Sequence, residues 1–463
     1  MRVLLINPWL PIHPSTVPSF GNAWPLGLLY LAAATKAAGH EVDIYDAAVG
    51  GITTCIHKGK FQLINMVNSV PDYPDDISLI GAPIGSLQMI LKNQSPEVVG
   101  LSLPISSQHA FVPFFVKLIK ECTDAKIVVG GPHATLAADL LSKFDGIDYI
   151  VMGEGEKSFP ELLTAIVNNL PTDGIAGVYP TPFELIEDVD LLPYPAHDLV
   201  PRHSYFATTN SPVVEIYSSR GCPFNCRFCS SPYFHRRKWR PHSVLRVLTE
   251  IKRLVDSGVK EIRFVDDNAA LDGDRWKSIM EGIARSGWGI KLSVYSLYFK
   301  TIDKEALTLM RMAGFERVMF APESGNDRVI RDLMGKNFTV AECEQMVRDI
   351  TEAKMAPDMN IMLGMVGETA AEIMDTVNFC LRMKEYNPEC GAAVSIATPI
   401  IHTAMYDEAV ERGIFPGGVP QLFSYAVPTY DGEDWTKEQL GNIQRRLDYK
   451  MNYETRGKIR KNV

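Results

Sequence analysis

Cys222, Cys226 and Cys229 fall in the run Arg220-Gly221-Cys222-Pro223-Phe224-Asn225-Cys226-Arg227-Phe228-Cys229, a C-x3-C-x2-C spacing directly after the strand-like run Val213–Tyr217. Thiolates hold iron–sulfur clusters, and a four-iron cluster takes four ligands. Only three are local here, which would leave one iron open to another group, as a catalytic zinc keeps a position that a structural zinc fills. Two other readings fit the same residues. Free cysteines pack in cores as small hydrophobes, and three thiolates can be legs of a zinc site. Zinc would call for a second C-x2-C or a pair of histidines, and the sequence offers no matching partner.

The chain around this loop has 463 residues, enough for two or three domains. Its apolar fraction of 46% is ordinary for globular protein. The net charge is −9, and basic residues form only short clusters such as Arg236-Arg237-Lys238. That composition argues against nucleic acid as the main partner, because phosphate affinity comes from neutralising Lys and Arg. Of eight cysteines, Cys55, Cys122, Cys343, Cys380 and Cys390 are scattered, which fits reduced thiols better than a disulfide framework. No apolar run approaches the length of a signal peptide core or a membrane span, so the expected setting is cytoplasmic.

Positioning such a loop requires a scaffold, and the chain alternates short β-branched runs with amphipathic ones. Residues 1–170 read as a doubly wound α/β domain with strands at Arg2–Asn7, Glu41–Asp46, Val98–Ser102, Lys126–Gly130 and Tyr149–Met152. Helices are expected at 25–38, 109–122, 135–142 and 158–168. Such a sheet binds its ligand beyond the carboxyl ends of its strands. Those ends carry Trp9, Ser102-Leu103-Pro104, Gly130-Gly131-Pro132-His133 and Gly153-Glu154-Gly155-Glu156. Residues 51–97 interrupt the alternation and read as an insertion, with one apolar segment at 77–91. Residues 171–212, rich in Pro, Asp and Tyr, read as a linker. From Val213 to about residue 400, six strand and helix units predict a partial (β/α)6 barrel with its chemistry at the carboxyl ends of the strands. Residues 401–463 form an extension ending in a charged helix.

The cysteine spacing, with Phe228 before the last cysteine, resembles the signature of the radical S-adenosylmethionine (SAM) superfamily. The Pro25–Ala32 run together with Gly39-His40-Glu41-Val42, Gly130-Gly131-Pro132-His133 and Gly153-Glu154-Gly155-Glu156 resembles the cobalamin-binding domain that precedes many radical SAM domains. The resemblance implies a [4Fe-4S] cluster on Cys222, Cys226 and Cys229 whose open iron chelates SAM. Phe228 would pack on adenine, Asp266, Asp267 and Asn268 would lie near the methionine moiety, Glu323 and Ser324 near the ribose, and Gly364 would admit the nucleoside. The acids at the second strand end read Asp-Asp-Asn where many relatives have Gly-Gly-Glu. For cobalamin the implied contacts are Trp9, Gln108, His109, Gly130, Gly131, Gly153 and Glu154, with His13 also near the cobalt. The Asp-x-His-x-x-Gly motif whose histidine ligates cobalt in better known cobalamin proteins is absent.

The family implies a C-methyltransferase that uses two SAM molecules. One methylates cob(I)alamin, and the other yields a 5′-deoxyadenosyl radical that takes hydrogen from an unactivated carbon, in a peptide or protein residue such as glutamine or in a small metabolite. A cyclase or ring-rearranging enzyme with the same domains is the alternative. An electron donor of flavodoxin or ferredoxin type and a low-oxygen setting follow from the same resemblance.

Overall fold

Runs rich in Val and Ile near the amino terminus form five parallel strands, β1 (Arg2–Asn7), β2 (Glu41–Asp46), β3 (Val98–Ser102), β4 (Lys126–Gly130) and β5 (Tyr149–Val151), in the order β2-β1-β3-β4-β5. The computed structural model describes residues 1–12, 23–49, 54–57, 60–63, 78–209, 213–414, 419 and 427–454. Its contacts divide into two units, Met1–Pro212 and Val213–Val463.

In the first unit the central strands β1 and β3 bury apolar residues on both faces, as parallel strands covered by helices must. The helices include α1 (Leu26–Ala37), α2 (Ile84–Gln94), α3 (Val112–Lys120) and α4 (Gly155–Val167). Leu28 and Ala32 of α1 share a core with Val3, Leu5, Phe159, Leu162 and Leu163. The expected helix over 135–142 is broken into Pro132–Leu136 and Ala138–Leu141, with Ala137 at φ −116 between them.

Two sequence expectations change here. The supposed insertion supplies a strand, Ser78–Ile80, that pairs antiparallel with Leu10–Ile12, and then α2, which leads directly into β3. Its apolar residues Leu87 and Leu91 are buried against the sheet unit, so its second half is part of the domain. The supposed linker is also packed: Ile175, Val178 and Ala196 belong to the same core as α1 and β1, and Ala196 N donates to Leu29 O at 3.1 Å. Scattered single apolar residues among prolines have no period to read, although each fills a slot.

The second unit holds two parallel three-stranded sheets. One has β6 (Val213–Ile216), β7 (Glu261–Phe264) and β8 (Lys291–Val294); the other has β9 (Arg317–Glu323), β10 (Ala356–Leu363) and β11 (Gly391–Ile396). A single parallel bridge, Leu292 with Phe315, joins them. The intervening helices are α5 (Val244–Asp256), α6 (Gly273–Ser286), α7 (Lys304–Ala313), α8 (Val340–Glu352) and α9 (Ala370–Tyr386). Ser243, Asp272, Asp303, Thr339 and Thr369 cap their first turns with side-chain oxygens. This is the six-unit barrel read from the sequence.

The expected charged terminal helix is α10 (Lys437–Asn452), laid along the edge of β11. Gln444 Nε2 donates to Val394 O at 2.9 Å, and the Asn452 carboxamide donates to Ala392 O at 2.7 Å and accepts from Ala392 N at 3.3 Å. Of the extension's aromatic residues, Phe415 and Tyr425 lie outside the described residues.

Candidate functional site

The cysteine loop leaves β6 through Ser219–Arg220, which pairs antiparallel with Arg240–Pro241. Gly221 stands at φ +83, and a Cβ there would run into Lys238 O and the His235 side chain. Gly221→Ala is therefore expected to prevent cluster assembly while leaving the first unit folded, read as lost iron content with unchanged corrin uptake. Farther along, Arg227 is held on both sides: its N–H donates to Met334 O at 3.0 Å, its carbonyl accepts from Met405 N at 2.9 Å, and its guanidinium meets Glu408 at 2.6 Å.

All three cysteines are free thiols of intermediate exposure. Burial pushes each thiol up, Cys229 to about 12, and Cys222 and Cys226 also raise it through their charge. Three thiols of one loop whose ionised forms burial disfavours call for a partner that supplies positive charge, which iron would do. Among the described residues no group of three or more His, Cys, Asp or Glu is arranged to hold one metal ion. A four-iron cube takes its thiolates at wider separation than one ion does.

The acids after β7 divide the work. Asp266 is buried and accepts from Ser218 N at 3.0 Å, Ser218 Oγ at 2.8 Å and Ser219 Oγ at 2.6 Å, so it anchors the start of the cysteine loop and faces no ligand. Asp267 accepts from Gly221 N at 3.0 Å and sits 3.4 Å from His235 Nε2. Asn268 is different. Its Nδ2 lies 4.0 Å from Cys222 Sγ, and its Oδ1 is buried with no hydrogen-bond partner among the described residues. An orphaned buried acceptor costs about 1–3 kcal/mol unless a donor arrives. The ammonium of a ligand on the open iron is such a donor.

Glu323 ends β9 at φ +65, a conformation that costs a non-glycine residue about 1–3 kcal/mol. Its Oε1 is 2.9 Å from Lys336 Nζ, and both side chains are almost fully buried. Lys336 also donates to Ala321 O at 3.2 Å and lies 5.7 Å from the centre of the Phe228 ring. Its charge works against the upward shift of the Cys226 thiol. Sequence reasoning missed Lys336: it follows Gly335 in a loop with no periodicity, and only the tertiary fold brings it to Glu323.

Phe228, Cys229 and Ser230 line a cavity of about 190 Å³ with Met362, Thr398 and Ile400 from the ends of β10 and β11. Ser324 and Gly364 are elsewhere. Ser324 is fully buried, with its hydroxyl 2.9 Å from Thr376 Oγ1 and accepting from Asn326 N at 3.1 Å. Gly364 donates to Glu368 Oε2 at 2.7 Å, accepts from the Tyr430 hydroxyl, and turns its Cα toward Leu440 and Trp435. Its backbone is occupied by the carboxy-terminal extension rather than presented to a nucleoside.

Burial raises the Glu368 carboxyl from its usual range to about 8. A folded-state value above the unfolded one means the stabilisation is complete below about pH 4.5 and is lost as pH rises through about 8. Thermal midpoints should therefore fall as pH rises from about 5 to 8 and level off above that, and Glu368→Gln should flatten that dependence.

In the first unit the strand order reverses between the parallel neighbours β1 and β3, the switch point where doubly wound sheets bind ligands. Trp9 follows β1; it is fully buried, stacks on Phe115 and donates from Nε1 to Ala82 O. A turn of 3-10 helix, Ser106–Phe111, follows β3. There Gln108 is buried, donating to Trp9 O at 3.2 Å and accepting from Ile105 N at 3.4 Å. His109 Nδ1 lies 2.9 Å from His133 Nε2, and His133 Nδ1 lies 3.0 Å from Ser106 Oγ. Burial pushes His133 down to about 3, with His109 adding to the shift.

Gly131 takes φ +97 against the Leu103 backbone, and Gly130 ends β4 beside Val151. Gly153 donates to Thr135 Oγ1 at 2.9 Å and packs on Phe183, while Glu154 accepts from Ile186 N at 2.8 Å. These last two hold the segment after α4. His13 lies outside the described residues.

Family models match both units: the radical SAM superfamily over residues 216–380 and the B12 binding domain over residues 72–163. An uncharacterized methyltransferase, PH0819, of Pyrococcus horikoshii is 28% identical over 96% of this chain and 91% of its own length. The cytidylyl-2-hydroxyethylphosphonate methyltransferase of Streptomyces wedmorensis is 25% identical, covering 89% of this chain and 82% of its own. An anaerobic magnesium-protoporphyrin IX monomethyl ester cyclase of Synechocystis is likewise 25% identical, over 89% of this chain and 78% of its own. Among solved structures, the radical SAM methyltransferase TsrM from Kitasatospora setae superposes with a TM-score of 0.68 at 20% identity, covering 89% of this chain and 76% of that one. Among the described residues no helix is long and apolar enough to cross a membrane. The chain thus carries a B12 binding domain ahead of a radical SAM domain whose first strand leads into the C-x3-C-x2-C loop, the domain pair of a cobalamin-binding radical SAM enzyme.

Proposed function

We propose that this enzyme is a cobalamin-dependent radical SAM C-methyltransferase acting on an unactivated carbon of a small metabolite or of a peptide or protein residue. The observation that carries the reading is the presence of both sites in one chain, similar along 96% of its length to a protein named as a methyltransferase. When bound, the cluster with SAM would supply a 5′-deoxyadenosyl radical and the corrin would supply the methyl group.

The chain's own groups do the rest. Cys222, Cys226 and Cys229 would hold the iron, and the unpartnered Asn268 Oδ1 would accept from the SAM ammonium. Phe228, Met362 and Ile400 wall the cavity with apolar surface, which keeps water from a radical. Lys336, 2.9 Å from Glu323 Oε1, fixes that carboxyl where it would meet a ribose hydroxyl. An sp3 carbon offers no acidic proton, so no acid or base in the chain can replace the cofactors. The electron for SAM cleavage would come from a flavodoxin or ferredoxin type donor.

The cyclase relative supports a second reading, in which the same radical closes a ring without methyl transfer. Anaerobic reconstitution with cobalamin, iron and sulfide, followed by SAM bearing a deuterated methyl group, a reductant and extract of cells lacking the gene, separates the two. A product heavier by one labelled methyl supports the transferase. A product of unchanged carbon count with equivalent 5′-deoxyadenosine would favour the cyclase.

A further inference from the structure

Three side chains near the first unit's switch point are accounted for. Trp9 is buried with its only donor on Ala82 O, the Gln108 carboxamide is spent on Trp9 O and Ile105 N, and His133 has both ring nitrogens engaged. His109 remains. It sits on the turn after the central strand β3, half-buried against Phe144, and its Nδ1 is fixed by His133. Among the described residues its Nε2 has no hydrogen-bond partner.

From this geometry, and resting on the cobalamin reading of the first unit, we infer that His109 Nε2 is the protein's axial ligand to the corrin cobalt, oriented by a His133–Ser106 relay.

The relay explains why a histidine outside the Asp-x-His-x-x-Gly motif suits the task. Histidines that ligate metals donate their second ring N–H to an acceptor, which fixes the tautomer and raises the basicity of the ligating nitrogen. Here the acceptor is a buried neutral imidazole. With His109 carrying its proton on Nδ1, the bond runs to His133 Nε2, the His133 proton sits on Nδ1, and Ser106 Oγ accepts it. Nε2 of His109 then presents a lone pair. The serine hydroxyl can also donate, so the relay can run in the opposite direction, with the His109 proton on Nε2. Cobalt binding would select the first arrangement. A carboxylate in place of His133 would hold the tautomer more strongly and add negative charge below the metal; a neutral relay keeps the ligand weaker and easier to release when the cobalt is reduced and sheds its axial groups.

The test is the EPR spectrum of the full-length protein loaded with unlabelled cobalamin and held as cobalt(II), whose unpaired electron points along the axial direction. The expected result is a nitrogen triplet on the cobalt lines that becomes a doublet when the protein carries 15N-histidine. Because the label resides only in the protein, the corrin's own benzimidazole cannot produce that change. His109→Ala, or His109→Gln should alanine fail to fold, should lose the label-sensitive splitting while retaining bound corrin; Ser106→Ala should keep it with an altered coupling.

Bound corrin with no nitrogen splitting, a splitting indifferent to 15N-histidine, or one that survives both His109 variants would each overturn the assignment. Methyl transfer by a protein showing any of these outcomes would leave the proposed function standing, whereas failure to take up corrin would remove both.

Discussion

Cys226→Ala is expected to reduce 5′-deoxyadenosine formation below detection, with loss of the broad thiolate-to-iron absorbance, while corrin uptake stays within about twofold of the parent. The magnitude follows from the ligand count. A four-iron cluster held by three thiolates has no spare protein ligand, so removing one leaves two corners open and the cube unsupported. The positive charge of Lys336 also favours the Cys226 thiolate, so the variant removes a sulfur that this lysine supports. Corrin uptake should survive because its candidate residues belong to the other compact unit. Iron and sulfide analysis beside corrin absorbance on the same preparation checks both halves, and turnover equal to the parent would refute the cluster assignment.

The second large effect is expected at Lys336. Lys336→Met strands the Glu323 carboxylate in a pocket where both side chains are nearly inaccessible. Breaking a buried pair by removing one partner typically costs about 3–5 kcal/mol, because the remaining charge stays desolvated. Urea unfolding should show a drop of that order. Lys336→Met combined with Glu323→Leu should recover much of the loss, since apolar replacement of both partners removes the stranded charge. The double variant should still lack SAM cleavage if Glu323 meets the ribose. A single-variant loss under about 1 kcal/mol would mean that the pair is solvated and that Lys336 does not hold the loop.

The sequence exposed what is local or periodic. The cysteines are near one another in the chain and the glycine beside them is needed where φ is positive, so the three-cysteine loop was readable directly. Strands β1 to β4 and β8 match the β-branched runs residue for residue, because a buried parallel strand has little use for other side chains. Partnerships set by the tertiary fold were not readable. Asp266 and Asn268 stand two positions apart at one strand end, yet one is saturated by serines and the other holds an orphaned oxygen. Residue type alone gave them the same role. Gly364 looked open to a ligand because nothing local shows that Leu440 and Tyr430 return to cover it. Likewise His109 was one name among several until the His133 and Ser106 contacts separated it from Trp9 and Gln108.

The Asn452 carboxamide bonds both backbone groups of Ala392, imitating the peptide of a neighbouring strand, and Gln444 satisfies Val394 two residues along. Two side chains thus finish the sheet where another strand would otherwise add. An exposed strand edge is a template for self-association, so trimming the protein before residue 437 should uncover β11 and lead copies to associate through that edge. Those two amides act as the chain's guard against fibre growth.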